Sequence, residues 1–132
     1  MTLNNYGVEN ATSGSVAPQA NGDRSVAVGN KAIADGTESH ACTHSRADGV
    51  GSFAAGITTN TTSYGAIGNQ SVALGQFNKA GSNGIAIGSA FAITEGSQSV
   101  AIGRNVTSVG SGSLAMGRDI KANIVGQSAY GS

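Results

Sequence analysis

Residues 96–119 read GSQSVAIGRNVTSVGSGSLAMGRD, a stretch that says nearly the same thing twice. SVAIG at 99–103 returns as SLAMG at 113–117, and a smaller echo, VTSVG, lies between them at 106–110. In each pentad the large apolar residues occupy the second and fourth positions, with Ala between them. That is a period of two, the signature of a strand and not of a helix. The closing Gly suits a turn, because it reaches positive φ without a Cβ penalty.

Worked outward, the pentad recurs along most of the chain. SVAVG, SHACT, SFAAG, SVALG, GIAIG, SVAIG, SLAMG and, weakly, QSAYG close at 29, 43, 56, 75, 88, 103, 117 and 131. Successive steps are therefore 14, 13, 19, 13, 15, 14 and 14 residues. A half-repeat falls near the middle of most steps: AIADG (32–36), RADG (46–49), NKAG (78–81), AITEG (92–96) and VTSVG (106–110). Each repeat thus reads as two short strands and two turns, one rung of a parallel β-solenoid. Rungs stack about 4.8 Å apart, so eight of them predict a rod roughly 40 Å long. The 19-residue step carries an extra piece, ITTNTT (57–62), before YGAIG restores the half-repeat. Insertions in solenoids emerge as loops on one face. Ile57, Thr58, Thr59, Asn60, Thr61, Thr62 and the adjacent Tyr64 are accordingly the expected exposed loop for contact with a receptor, with Phe77 and Phe91 as surface aromatics.

Composition narrows the function. The 132 residues carry seven Lys or Arg and seven Asp or Glu, a net charge of +0. The cations are spread along the chain, so neither nucleic acid nor an anionic membrane is an expected partner. No run of 18 apolar residues exists, and membrane insertion is not expected. The N-terminus has neither the basic nor the apolar region of a secretory signal. Charged residues make up 11% and Trp is absent, so the chain is built of small residues that can form only a thin core. The expected core and trimer repeat comprises Val26, Val28, Phe53, Val72, Leu74, Ile85, Ile87, Val100, Ile102, Leu114 and Met116. On this reading the apolar pair of each pentad fills the rung, and the opposite Ser/Ala face is flat and uncharged. Such a face, repeated along a solenoid, is best explained by burial against copies of the same chain. A homo-oligomer of cyclic symmetry is the expectation, with a homotrimer the first choice; burial fixes association and not the number three.

The repeats SVAVGNKAIADG, GIAIGSAFAITEG and SVAIGRNVTSVGSGSLAMG resemble the YadA-like head repeats of the trimeric autotransporter adhesins, over residues 25–131. The resemblance implies an all-β, left-handed parallel β-roll of about eight two-strand rungs, three chains side by side, and a non-enzymatic surface role toward host matrix or cell-surface molecules. Similar repeats occur in phage fibres and other virion appendages. Autotransporter adhesins add a signal peptide, neck, stalk and membrane anchor, none of which is written in these residues. Residues 1–24 look instead like a non-repetitive leader, with the roll at 25–132. Leu3, Tyr6 and Val8 alternate as in a strand added to a partner's sheet edge. The expectation is therefore a virion fibre or capsid decoration protein, anchored on a capsid or tail protein by its leader and displayed on the virion surface. The alternative is a receptor- or matrix-binding adhesin head on the bacterial outer surface.

Chemistry-bearing residues are few. In SHACTHS (39–45), His40, Cys42 and His44 are expected on one face of a strand, where His40 and Cys42 replace the apolar pair. Threefold symmetry would bring three His or three Cys together as metal ligands; the plainer expectation is a variant rung without metal. The acids mostly sit in turns such as ADGT and TEGS, where they cap backbone N–H groups. Asp35 and Asp48 fall at consecutive turns and are placed to stack. Neither a phosphate loop nor a calcium-binding nonapeptide is present, and no cofactor and no enzyme activity are expected.

Overall fold

A computed structural model describes residues 6–8, as backbone alone, together with 16–56 and 63–131. All of its regular structure is strand, in one continuous parallel sheet that winds around itself. The strands are β1 (Tyr6–Val8), β2 (Gln19–Ala20), β3 (Val26–Val28), β4 (Ile33–Ala34), β5 (His40–Cys42), β6 (Arg46–Ala47) and β7 (Phe53–Ala55), then β8 (Gly65–Ala66), β9 (Val72–Leu74), β10 (Lys79–Ala80), β11 (Ile85–Thr94), β12 (Val100–Ser108), β13 (Leu114–Ala122) and β14 (Ser128–Tyr130). The pentad strands β1, β3, β5, β7, β9, the first parts of β11, β12 and β13, and β14 stack as a first face. The half-repeat strands β2, β4, β6, β8, β10 and the later parts of β11, β12 and β13 stack as a second. This is a parallel β-solenoid of about eight coils.

One ladder runs the length of the first face. The N–H of each second-position residue donates to the first-position carbonyl of the next rung: Val26 to Ser39 at 2.8 Å, His40 to Ser52 at 2.8 Å, Phe53 to Ser71 at 2.8 Å, and so on to Leu114 and Gln127 at 2.8 Å. Irregular steps are absorbed without loss of register. Phe53 still pairs with Val72 across the 19-residue step; the ITTNTT segment expected as an exposed loop (57–62) lies outside the described residues. The 15-residue step is a bulge between Ile87 and Ala90. Pairing also begins before Ser25. β1 pairs with β3, Tyr6 against Val26, and β2 pairs with β4. The chain closes one coil earlier than the repeat alone indicates.

The interior reverses the expected packing. The core consists of the central Ala of each pentad (Ala27, Ala41, Ala54, Ala73, Ala86, Ala101, Ala115) and of Ala34, Ala47, Ala66, Ala80 and Ala122 on the opposite face, each at most 1% exposed. Ser25, Ser39, Ser52, Ser71, Ser99 and Ser113 are buried with them. The hydroxyls of Ser71, Ser99 and Ser113 donate back to turn carbonyls three residues earlier, at Gly68, Gly96 and Gly110. Val26, Val28, Phe53, Val72, Leu74, Ile85, Ile87, Val100, Ile102, Leu114 and Met116, expected inside, all point outward and are half-buried or exposed. The physical reason lies in the corners. A coil of about 14 residues brings its two faces so close that small side chains fill the space between them, chiefly Ala and Ser, with Thr94, Val106 and Asn78 the largest. Close approach of rungs is equally tight at Gly88, where an added Cβ would lie 1.7 Å from the Gly103 carbonyl oxygen.

Candidate functional site

With the interior filled by Ala and Ser, the distinguishing surface is the outside of the first face. Two columns of side chains run along it. One holds Val26, His40, Phe53, Val72, Ile85, Val100 and Leu114 in register. The second holds Val28, Cys42, Ala55, Leu74, Ile87, Ile102 and Met116. The outward residues of the second face are different in kind: Gln19, Ile33, Arg46, Lys79, Ile93, Thr107 and Lys121. One flank of the rod is therefore a nearly continuous apolar stripe, and the other is mixed and hydrated. Contiguous exposed apolar surface of this length marks an interaction site.

The third rung breaks the stripe. His40 is exposed and Cys42 half-buried, both directed outward beside apolar neighbours in the rungs before and after. The aromatic neighbour of the His40 ring is Phe53, at a centroid distance of 6.4 Å. His44 does not share their face. It sits past the end of β5 at a corner, with φ 56°, and its N–H donates to the Asn30 carbonyl at 2.8 Å. Within one chain, no three His, Cys, Asp or Glu side chains converge as metal ligands among the described residues.

A second feature lies at that same corner of the coil. Lys31, His44, Phe77, Phe91, Asn105 and Asp119 take equivalent positions there, all with φ between 53° and 58°. A left-handed backbone throws each side chain away from the roll. Phe77 and Phe91 stack at 5.3 Å with planes 12° apart, and Tyr64 meets them edge-on at 5.5 and 6.2 Å. Phe91 is 41% exposed. Tyr64 belongs to the half-repeat that follows the ITTNTT segment in the sequence. Tyr64 is half-buried within this cluster rather than free on a loop tip.

Two polar groups that the repeat pattern conceals are structural. Arg46 bridges consecutive turns, with Nη2 2.8 Å from Asp35 and Nε 2.7 Å from Asp48, which realises the stacking expected of those acids. The hydrogen bond that Arg46 donates to Asp48 raises its pKa above the ordinary value, against the opposing effect of burial, and the charges of Asp48 and Asp35 add to the rise. Asn78 is fully buried; its amide donates to the carbonyls of Leu74 and Gly88 and accepts from the Ala92 N–H. The available signal is a lone amide in a column that elsewhere holds Ala32, Ser45, Tyr64, Ala92, Val106 and Ile120.

Of the expected partner-anchoring residues, Leu3 lies outside the described residues. Tyr6 and Val8 belong to β1, whose backbone pairs with β3 of the same chain.

A coiled parallel sheet with an Ala core and one apolar flank defines a β-solenoid rod with a surface for association. The family model of the YadA head domain repeat matches it in two copies, at residues 20–39 and 66–90. The chain carries YadA-like head repeats, and the unmatched rungs between and after these copies repeat the same register. No curated protein matches the chain.

Proposed function

We propose that this chain is a non-enzymatic head of the trimeric autotransporter adhesin kind, a left-handed roll that associates threefold and attaches a bacterial outer surface to a receptor or matrix molecule. The observation that carries the reading is the asymmetry of the two faces. Eleven large apolar side chains point outward on the first face, where a lone chain would leave them in water. Covering the remaining exposed part of each gives ~1 kcal/mol. The sum, on the order of 10 kcal/mol per chain, is comparable with or greater than the cost of association. A closed ring of three such faces leaves the mixed second face and the corners free. The Tyr64–Phe77–Phe91 cluster supplies contact area for attachment. The family match supports the adhesin head over the virion fibre expected from the leader, and the in-chain pairing of Tyr6–Val8 removes one argument for that fibre.

Thiol labelling tests the covered face. In a Cys42→Ala background, a cysteine introduced as Ile102→Cys is expected to resist a maleimide under native conditions, while Lys79→Cys on the second face reacts at once. Equal, rapid labelling of both positions contradicts the proposal.

A further inference from the structure

The third rung of the first face is chemically unlike every other. At the two outward columns the other complete rungs from β3 to β13 place apolar residues: Val26 and Val28 before it, Phe53 and Ala55 after it. Only this rung presents an imidazole and a thiol, His40 and Cys42, separated by one inward Ala. Their Cα atoms are two strand residues apart, roughly 6.6 Å, so one chain offers an ion at most these two ligands, short of the four of a closed tetrahedral site.

Threefold association changes this, and the inference rests on that reading of the first face. A pure rotation about an axis parallel to the rod keeps height, so each rung meets the same rung of its two copies. Three His40 side chains then lie at one level, enclosed above and below by the apolar residues of the neighbouring rungs. A buried imidazole without a polar partner is costly. The nearest aromatic contact of His40 in its own chain, Phe53, offers no lone pair or donor to satisfy it. Its two copies offer only more imidazoles and Cys42 thiols. Nitrogen donors that converge in a dry, symmetric setting suit a borderline divalent metal, which prefers neutral imidazole at about 2.0–2.1 Å and tetrahedral geometry.

We propose that His40 from three copies of this chain forms one site for a divalent metal of the zinc class, assembled only in the oligomer. His40 is assigned as the ligand over Cys42 because its side chain is longer and more exposed, and so reaches further from its own face. The fourth position is left to water. The metal would pin the register of the three rods at this rung, since a slip of one coil sets His40 against Val26 or Phe53 of its neighbours.

The test uses the full chain, freed of metal by a chelator, held reduced with a phosphine, and titrated with zinc ions alone. Mass in solution is read in parallel. The expected result is a trimer that takes up one zinc per three chains and gains thermal stability. His40→Val restores the ordinary repeat residue, stays trimeric and weakens zinc uptake at least a hundredfold, while Cys42→Ala keeps it. A trimer that binds no zinc overturns the site and leaves the proposed function standing. Uptake that survives His40→Val, or is lost with Cys42→Ala, overturns the ligand assignment. A monomer overturns the threefold reading, and the site falls with it.

Discussion

A single methyl group placed on Gly88 should separate the effect of rung stacking from that of glycine conformation. An added Cβ would lie 1.7 Å from the Gly103 carbonyl oxygen and 2.8 Å from its carbon, both backbone atoms of the next rung. Relief requires the two rungs to part by about 1.5 Å, against a stacking distance of ~4.8 Å. Hydrogen bonds of normal length do not survive that displacement. Those at risk include the Asn78 amide to the Gly88 carbonyl at 2.9 Å and neighbouring bonds of the β11–β12 ladder. Each buried group left unpaired costs ~1–3 kcal/mol, so Gly88→Ala should cost about 4 kcal/mol. Gly112 is the matched control. A Cβ there meets nothing within 4 Å, and its φ of +65° is shared by Gln98 and Asn83 (φ 57° and 53°) at the same corner of other rungs. Gly112→Ala carries only the left-handed penalty of ~1–2 kcal/mol, partly offset by a stiffer unfolded chain. Urea unfolding followed by circular dichroism, at one fixed chain concentration because association shifts apparent stability, should place the two variants about 3 kcal/mol apart. Two variants of equal stability would refute the argument that backbone contact between rungs limits this fold.

Other substitutions probe the inside-out packing. Ala101→Leu forces a large side chain between the two faces and should cost at least ~3 kcal/mol, whereas Val100→Leu, one residue away and outward, should unfold at nearly the same urea concentration as the parent; equal effects would mean the assignment of faces is wrong. Arg46→Met leaves Asp35 and Asp48 unbridged and should cost ~1 kcal/mol, given a guanidinium side chain 22% exposed. Because the bridge raises the Arg46 pKa, its contribution is fully present below the ordinary arginine range and is lost only as pH rises through the raised value. The difference in stability between parent and variant should therefore stay flat from pH 6 to pH 9, and a difference that shrinks toward pH 9 would count against the bridge.

The pentads made much of this architecture readable. The alternation SVAIG dictates strand, the recurrence dictates a solenoid, and the steps between closing glycines reproduce the pairing of Val26 with His40 and of Val100 with Leu114. A period of two separates residues into two sets without saying which set faces inward. Apolarity alone points Val and Ile to the core. Corner spacing reverses that, because the short half-repeats hold the faces so near that Ala and Ser fill most of the interior and Val106 is its largest side chain. The strand at Tyr6–Val8 is legible as an alternation, but its place in this chain's own roll is not: it has no Ser-x-Ala-x-Gly signature, and its partner lies 20 residues on at Val26. The aromatic cluster was visible only as separate residues. Tyr64, Phe77 and Phe91 are 13 and 14 positions apart, and it is register plus the left-handed corner that stacks them. His40 and Cys42 are legible because they interrupt a pattern; His44 continues their alternation in the sequence, but the strand ends at Cys42.

Sedimentation equilibrium of the full chain at micromolar concentration weighs the account most directly. A particle three times the 12.9 kDa chain mass is expected, reduced to a single chain by Ile87→Lys combined with Ile102→Lys on the first face and unaffected by Lys79→Glu on the second. A parent protein that sediments as a folded 12.9 kDa monomer would contradict it, because the apolar stripe would then stand in water with nothing to cover it.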